Sequence, residues 1–190
     1  GITPAATEPT HASYTLWQSG EERIIGQVIH QLLYWLVQKG LVHWQQQTPQ
    51  QQRTVIEQCI NQYALSPALH EMIKNQCQQA LTNTLNDAVG QWLLTAKGHA
   101  ESPIVAAQTG NPEQYIIDRT FVENQCRWIV DYKTETPKDQ STDEFLHQAR
   151  QRHQAQLHQY AQAISPMEDY PIRLGLYFPL IPSWCWWEWC

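Results

Sequence analysis

Ile116-Ile117-Asp118-Arg119-Thr120-Phe121 and Trp128-Ile129-Val130-Asp131-Tyr132-Lys133-Thr134 are the two stretches on which the reading of this chain turns. Both are runs of β-branched and aromatic residues. With Glu123-Asn124-Gln125 between them they predict strands over 114–122 and 126–134 joined as a hairpin. Side chains alternate along a strand, so Asp131 and Lys133 share one face while Val130 and Tyr132 share the other. Asp118 closes the apolar part of the first strand, thirteen residues before Asp131. Alone, Asp131-Tyr132-Lys133 reads as a solvated hairpin face. Two carboxylates inside apolar runs are costly unless something neutralises them, and a shared divalent cation would do so. Such an ion, held by carboxylates, neutralises a phosphate and makes water nucleophilic. Lys133 can then orient that water or stabilise the charge that develops.

Outward from the hairpin, Pro103 to Gln108 predicts an earlier strand and Pro171 to Phe178 a last one. Between them, Ser141 with Glu144 forms a capping-box pattern for a helix running to about Ile164. Towards the N-terminus, Ile25, Ile29, Leu32, Leu33 and Leu36 recur at helical spacing over Glu21 to Gln38, with Gly40 as a stop. Thr48-Pro49 and Ser66-Pro67 start helices over 49–63 and 67–86, and a short helix follows over 87–96. Helices, three strands, helix, strand describe an α/β (α+β) fold in which a mixed central sheet is flanked by helices behind a helical N-terminal half.

The chain has 190 residues and is 42% hydrophobic, enough for one core. Residues 1 to 13 read as a disordered linker or chain end and 14–190 as a single domain. No run of about 18 apolar residues is present, which argues against a membrane span. Five cysteines at irregular spacing, with no CxxC pair, suit a reducing cytoplasm and give no zinc pattern. A net charge of −6 is awkward for a free nucleic-acid binder, since affinity for phosphates comes from Lys and Arg. A tethered domain whose DNA is delivered by a motor or partner subunit escapes that difficulty. No G-x-x-x-x-G-K-[ST] loop occurs, so the chain is not itself the ATP-driven motor. The tail from Tyr177 to Cys190, with Trp184, Trp186, Trp187 and Trp189, is too aromatic for a solvated end. It is expected to pack on the domain's own sheet, with docking on another domain or partner subunit as the alternative.

The sequence resembles the PD-(D/E)XK nuclease superfamily over about residues 22–178, and specifically its RecB-like branch, the C-terminal nuclease domain of RecB- and AddA-type helicase-nucleases. Ile117-Asp118-Arg119 and Val130-Asp131-Tyr132-Lys133-Thr134 are similar to the two core motifs of that family. Gly26 and His30 match a Gly-x-x-x-His on an early helix, and Gln156 and Tyr160 match a Gln-x-x-x-Tyr on the helix after the hairpin. The resemblance implies a restriction-endonuclease-like fold and a metal-dependent DNA nuclease. His30, Asp118 and Asp131 would be the side-chain ligands of Mg²⁺, with Mn²⁺ as a substitute, the Tyr132 carbonyl a backbone ligand, and Lys133 the catalytic lysine. Gln156 and Tyr160 would orient the lysine or hold the DNA, Glu101 would lie at the start of a strand leading into the site, and Arg119, Arg150, Arg152 and His153 would be candidate phosphate contacts. DNA and an upstream or partner helicase are the implied partners. Where the family usually has glycine three residues before the first aspartate, this chain has Tyr115. Related nucleases hold an iron-sulfur cluster on one early and three late cysteines; the tail here offers Cys185 and Cys190 alone, so no cluster is expected. The competing readings are a non-catalytic nuclease fold used for DNA binding or subunit docking, and a structural metal protein. A structural site has no use for a neighbouring amine, which disfavours the last.

Overall fold

The computed structural model describes residues 20–108 and 111–190, the side chains of residues 99–115 excepted. The predicted linker at 1–13 lies outside the described residues.

The N-terminal half is helical because each helix has both an apolar stripe and a cap. Helix α1 (Gly20–Lys39) buries Val28, Ile29, Leu32, Leu33 and Leu36, and Gly40 ends it in the left-handed region at φ 88. A short α2 (Leu41–Gln46) follows; six residues are too few to show a period, and the sequence did not reveal it. Helix α3 (Pro49–Ile60) starts on a capping box in which Thr48 and Gln51 each bond the other's backbone N–H. Helix α4 (Pro67–Asn86) is capped by Ser66, and α5 (Ala88–Thr95) by Asp87, whose carboxylate accepts the Gly90 N–H.

The sheet follows: β1 (Gly98–Gln108), β2 (Asn111–Glu123), β3 (Cys126–Tyr132), β4 (Ile172–Phe178) and β5 (Ser183–Glu188), in that spatial order. All neighbours are antiparallel except β3 and β4. A parallel pair needs a crossover, and helix α6 (Thr142–Ile164) supplies it from the Ser141–Glu144 capping box. The β2–β3 hairpin turns through Asn124 and Gln125 with φ 51 and 58, the left-handed pair that matches the twist of two-residue hairpins.

Each face of the sheet has its own core. Phe121, Trp128, Val130, Tyr132 and Tyr177 face the N-terminal helices. Ile117, Ile129, Leu174, Leu176 and Phe178 face α6. The mixed sheet flanked by helices is thus the expected one, with two differences. β1 begins at Gly98 rather than Pro103: Gly98 lies opposite Phe121, where a Cβ would come within 2.4 Å of the Phe121 Cβ. The tryptophan tail forms β5 on the outer edge of β4. It packs within the domain, with Trp184 edge-on to Trp92 and tilted against Trp128, both at ring separations of 5.9 Å. No helix among the described residues is long and apolar enough to cross a membrane.

Trp184 lies directly over Gly175, where a Cβ would meet the ring at 2.1 Å. Gly175→Ala should therefore force the tail off the sheet or strain β4, an overpacking cost of about 1–3 kcal/mol. A lowered thermal midpoint, with unchanged spectra for the N-terminal helices, is the expected result. An unshifted midpoint would mean that the indole moves aside freely.

Candidate active site

The ladder between β2 and β3 runs from Glu123–Cys126 to Arg119–Val130 and stops one residue short of Asp118. Residues 117 and 121 should share a face, yet Ile117 packs with the α6 cluster and Phe121 with the helical one. The strand turns over at Asp118. Where the β2–β3 ladder has ended, the Asp118 carboxylate serves as the acceptor: Oδ2 accepts the Tyr132 backbone N–H at 2.8 Å and lies 3.0 Å from His30 Nε2.

His30 arrives from α1 because Gly26, one turn earlier, lets the helix lie against the end of β3. A Cβ at Gly26 would sit 3.2 Å from Thr134 Oγ1, tighter than an ordinary contact. The Gly26 carbonyl accepts from His30 Nδ1 at 2.7 Å, which leaves Nε2 as the nitrogen facing Asp118.

Asp131 and Lys133 do share a face, as alternation requires. Lys133 Nζ is 2.8 Å from Asp131 Oδ2 and donates to Gln156 Oε1 at 3.0 Å, while Gln156 Nε2 donates to the Tyr160 hydroxyl at 2.8 Å. Gln156 and Tyr160 are four residues apart on α6, hence on one face. The amine is held between the strand carboxylate and the helix amide.

The charges are matched in pairs. For Asp118, burial opposes ionisation, but the His30 charge and hydrogen bond outweigh it and hold the carboxyl below its usual range. Asp131 is pushed up to about 6, first by burial and then by the neighbouring Asp118 anion, against the opposing pull of Lys133. His30 is raised to about 9: burial works against its charge, and Asp118 more than compensates. Lys133 likewise rises above its ordinary value because Asp131 overcomes burial.

Two carboxylates and one imidazole are a donor set suited to Mg²⁺ or Mn²⁺. An imidazole whose Nδ1–H is fixed on a backbone carbonyl is also how ligating histidines are oriented. No three carboxylate, imidazole or thiol groups among the described residues form a ready-made cage, so an entering ion must displace the His30 and Lys133 contacts. This makes the ion-free site proton-dependent. His30 and Asp131 both have folded-state pKa values above their unfolded ones, so each contributes stability that is present below the unfolded pKa and lost as pH rises through the folded one. In EDTA the thermal midpoint should fall as pH rises from 6.5 through about 9. Mg²⁺ should raise it more at the upper end of that range than at the lower, since binding competes with the His30 proton. A flat profile with no Mg²⁺ effect would contradict the pairing.

His30, Asp118, Asp131, Tyr132, Lys133, Gln156 and Tyr160 all line one cleft of about 480 Å³. Glu101 lies in β1 between Ala100 and Ser102, which pair with Arg119 and Ile117; its side chain is outside the described residues. Arg119 is corrected as a DNA contact. It is wholly buried, donates to the carbonyls of Leu93 at 2.8 Å and Ala96 at 2.5 Å, and stacks on Phe121. It fastens the C-terminal end of α5, where helix carbonyls lack partners. Arg150 stacks over Trp187 instead of facing the cleft. Arg152 and His153 pair with Glu135.

Glu135, which lines the cleft, was missed. Burial opposes its charge, but His153 and Arg152 hold its carboxyl down at about 2. The signal was available, since 131, 133 and 135 continue one alternation. Arg23, Gln27 and Gln31 on α1 also line the cleft and were likewise not singled out, although Arg23 and Gln27 fall at helical spacing from His30.

Comparison with known families matches residues 16–182 to the PD-(D/E)XK nuclease superfamily. No curated protein matches the chain. With that match spanning most of its length, over a mixed sheet whose hairpin brings Asp118, Asp131 and Lys133 into one cleft, the chain belongs to the PD-(D/E)XK nuclease superfamily.

Proposed function

We propose that this chain is a Mg²⁺-dependent deoxyribonuclease of the RecB-like kind. It would hydrolyse phosphodiester bonds of single-stranded DNA in the cytoplasm as the C-terminal domain of a helicase-nuclease, in double-strand break repair and recombination. The observation that carries the nuclease reading is the position of Lys133 Nζ, 2.8 Å from Asp131 and held by Gln156. A solvated hairpin lysine would not be clamped from two elements. The RecB-like assignment is supported by the order of Gly26 and His30, Asp118, Asp131-Tyr132-Lys133, then Gln156 and Tyr160, all of which line the one cleft.

His30 Nε2, Asp118 and Asp131 would hold the ion, with the Tyr132 carbonyl as a backbone ligand. When bound, the ion supplies charge neutralisation at the phosphate and a more acidic water. Lys133 orients the nucleophile and stabilises the charge that builds on the phosphate. Gln156, anchored by Tyr160, would keep the amine in place if Asp131 serves the ion. Helicase domains upstream, or in a partner subunit, would deliver the strand and offset the net charge of −6. The test is cleavage of labelled single-stranded and duplex DNA with Mg²⁺, Mn²⁺ or EDTA. Metal-dependent cleavage favouring the single strand is expected. Absence of both cleavage and metal binding would leave a non-catalytic nuclease fold.

A further inference from the structure

The carboxylates form an anionic floor, so a DNA strand needs a cation at the cleft that is not already committed. Lys133 is held by Asp131 and Gln156, and His30 by Asp118. Glu135, which also lines the cleft, is neutralised by Arg152 and His153. The remaining cation lining the cleft among the described residues is Arg23, in the first turns of α1. It is exposed to solvent and makes no ion pair among the described residues.

We propose that Arg23 is a phosphate-binding residue that holds the DNA backbone beside the scissile bond, with Gln27 as its polar neighbour. The inference rests on the nuclease reading and adds to it the wall along which the strand runs. Arg23, Gln27 and His30 stand at i, i+4 and i+7, one stripe of α1. At about 1.5 Å of rise per residue, Arg23 lies on the order of 10 Å along the axis from His30, too far to ligate the same ion and near enough to touch a neighbouring phosphate. The Gln27 oxygen accepts from the Tyr63 hydroxyl at 3.1 Å, which turns the amide so that its NH₂ is the end left for a phosphate oxygen. A guanidinium suits this place because its planar fork binds phosphate through two parallel N–H donors.

The test is steady-state cleavage of a labelled single-stranded oligonucleotide with Mg²⁺ over a series of salt concentrations, by wild type, Arg23→Gln and Arg23→Lys. Arg23→Gln should raise KM roughly tenfold with kcat little changed, as loss of a charge-assisted phosphate contact does. The slope of log kcat/KM against log salt should become shallower by about 0.7, one phosphate contact on a single strand. Arg23→Lys should keep the slope and recover part of KM. Because Arg23 is exposed, the thermal midpoint should not move, which separates the effect from misfolding. A wild type that cleaves, beside an Arg23→Gln with unchanged KM and slope, overturns this inference and leaves the nuclease reading standing. A wild type that neither cleaves nor binds the oligonucleotide overturns both.

Discussion

Lys133→Ala is expected to reduce Mg²⁺-dependent cleavage by about 10²–10³-fold, the usual effect of removing a preorganised group that meets charge developing in the transition state. The fold should survive, because Lys133 lies just past the end of β3 and its backbone N–H still donates to the Tyr177 carbonyl. Two consequences distinguish this loss from a general disturbance. Asp131 loses the cation that opposes its burial, so its carboxyl rises further above about 6, and residual activity should shift to higher pH. Arginine should not rescue, since a planar fork does not replace a point charge held between Asp131 and Gln156. Cleavage rates of wild type, Lys133→Ala and Lys133→Arg across pH, with thermal midpoints as control, decide the matter. Activity within about fivefold of wild type in Lys133→Ala would make the lysine a mere counter-charge, far below the effect of a transition-state donor.

Asp118→Ala should be silent as a nuclease and also visibly less stable. Asp118 accepts the Tyr132 N–H and pairs with His30. Removing it leaves the part-buried Tyr132 N–H and the His30 Nε2 without their acceptor, a cost of about 1–3 kcal/mol for the unsatisfied groups. Asp118→Asn separates the two roles. Its amide oxygen can still accept from Tyr132, so most of the stability should return. Its lost charge should abolish both cleavage and the rise in thermal midpoint with Mg²⁺. An Asn variant stabilised by Mg²⁺ as strongly as wild type would remove Asp118 from the ion's ligands.

What the sequence discloses here is whatever a strand or a helix imposes locally. Alternation put Asp131 and Lys133 together, and four-residue spacing put Gln156 beside Tyr160. Caps marked the start of α4 at Pro67 and of α6 at Thr142. Features set by distant chain segments were not legible. Arg119 looks like a surface cation until α5 presents the carbonyls of Leu93 and Ala96 to it. Ser183–Glu188 has no alternating pattern of its own and becomes a strand because β4 offers an open edge. Nor does any property of residues 116–121 announce that Ile117 and Phe121 face different cores.

The strand β5 also has a consequence for how the chain acquires its shape. Trp184 follows Trp92 and Trp128 in the chain and covers them. When Ser183–Glu188 is not seated, the outer edge of β4 has unpaired backbone groups beside an uncovered indole surface, the combination that invites strand-to-strand association between chains. The tryptophan strand thus serves as a guard on an adhesive edge, and whatever loosens it turns a solitary chain into a sticky one.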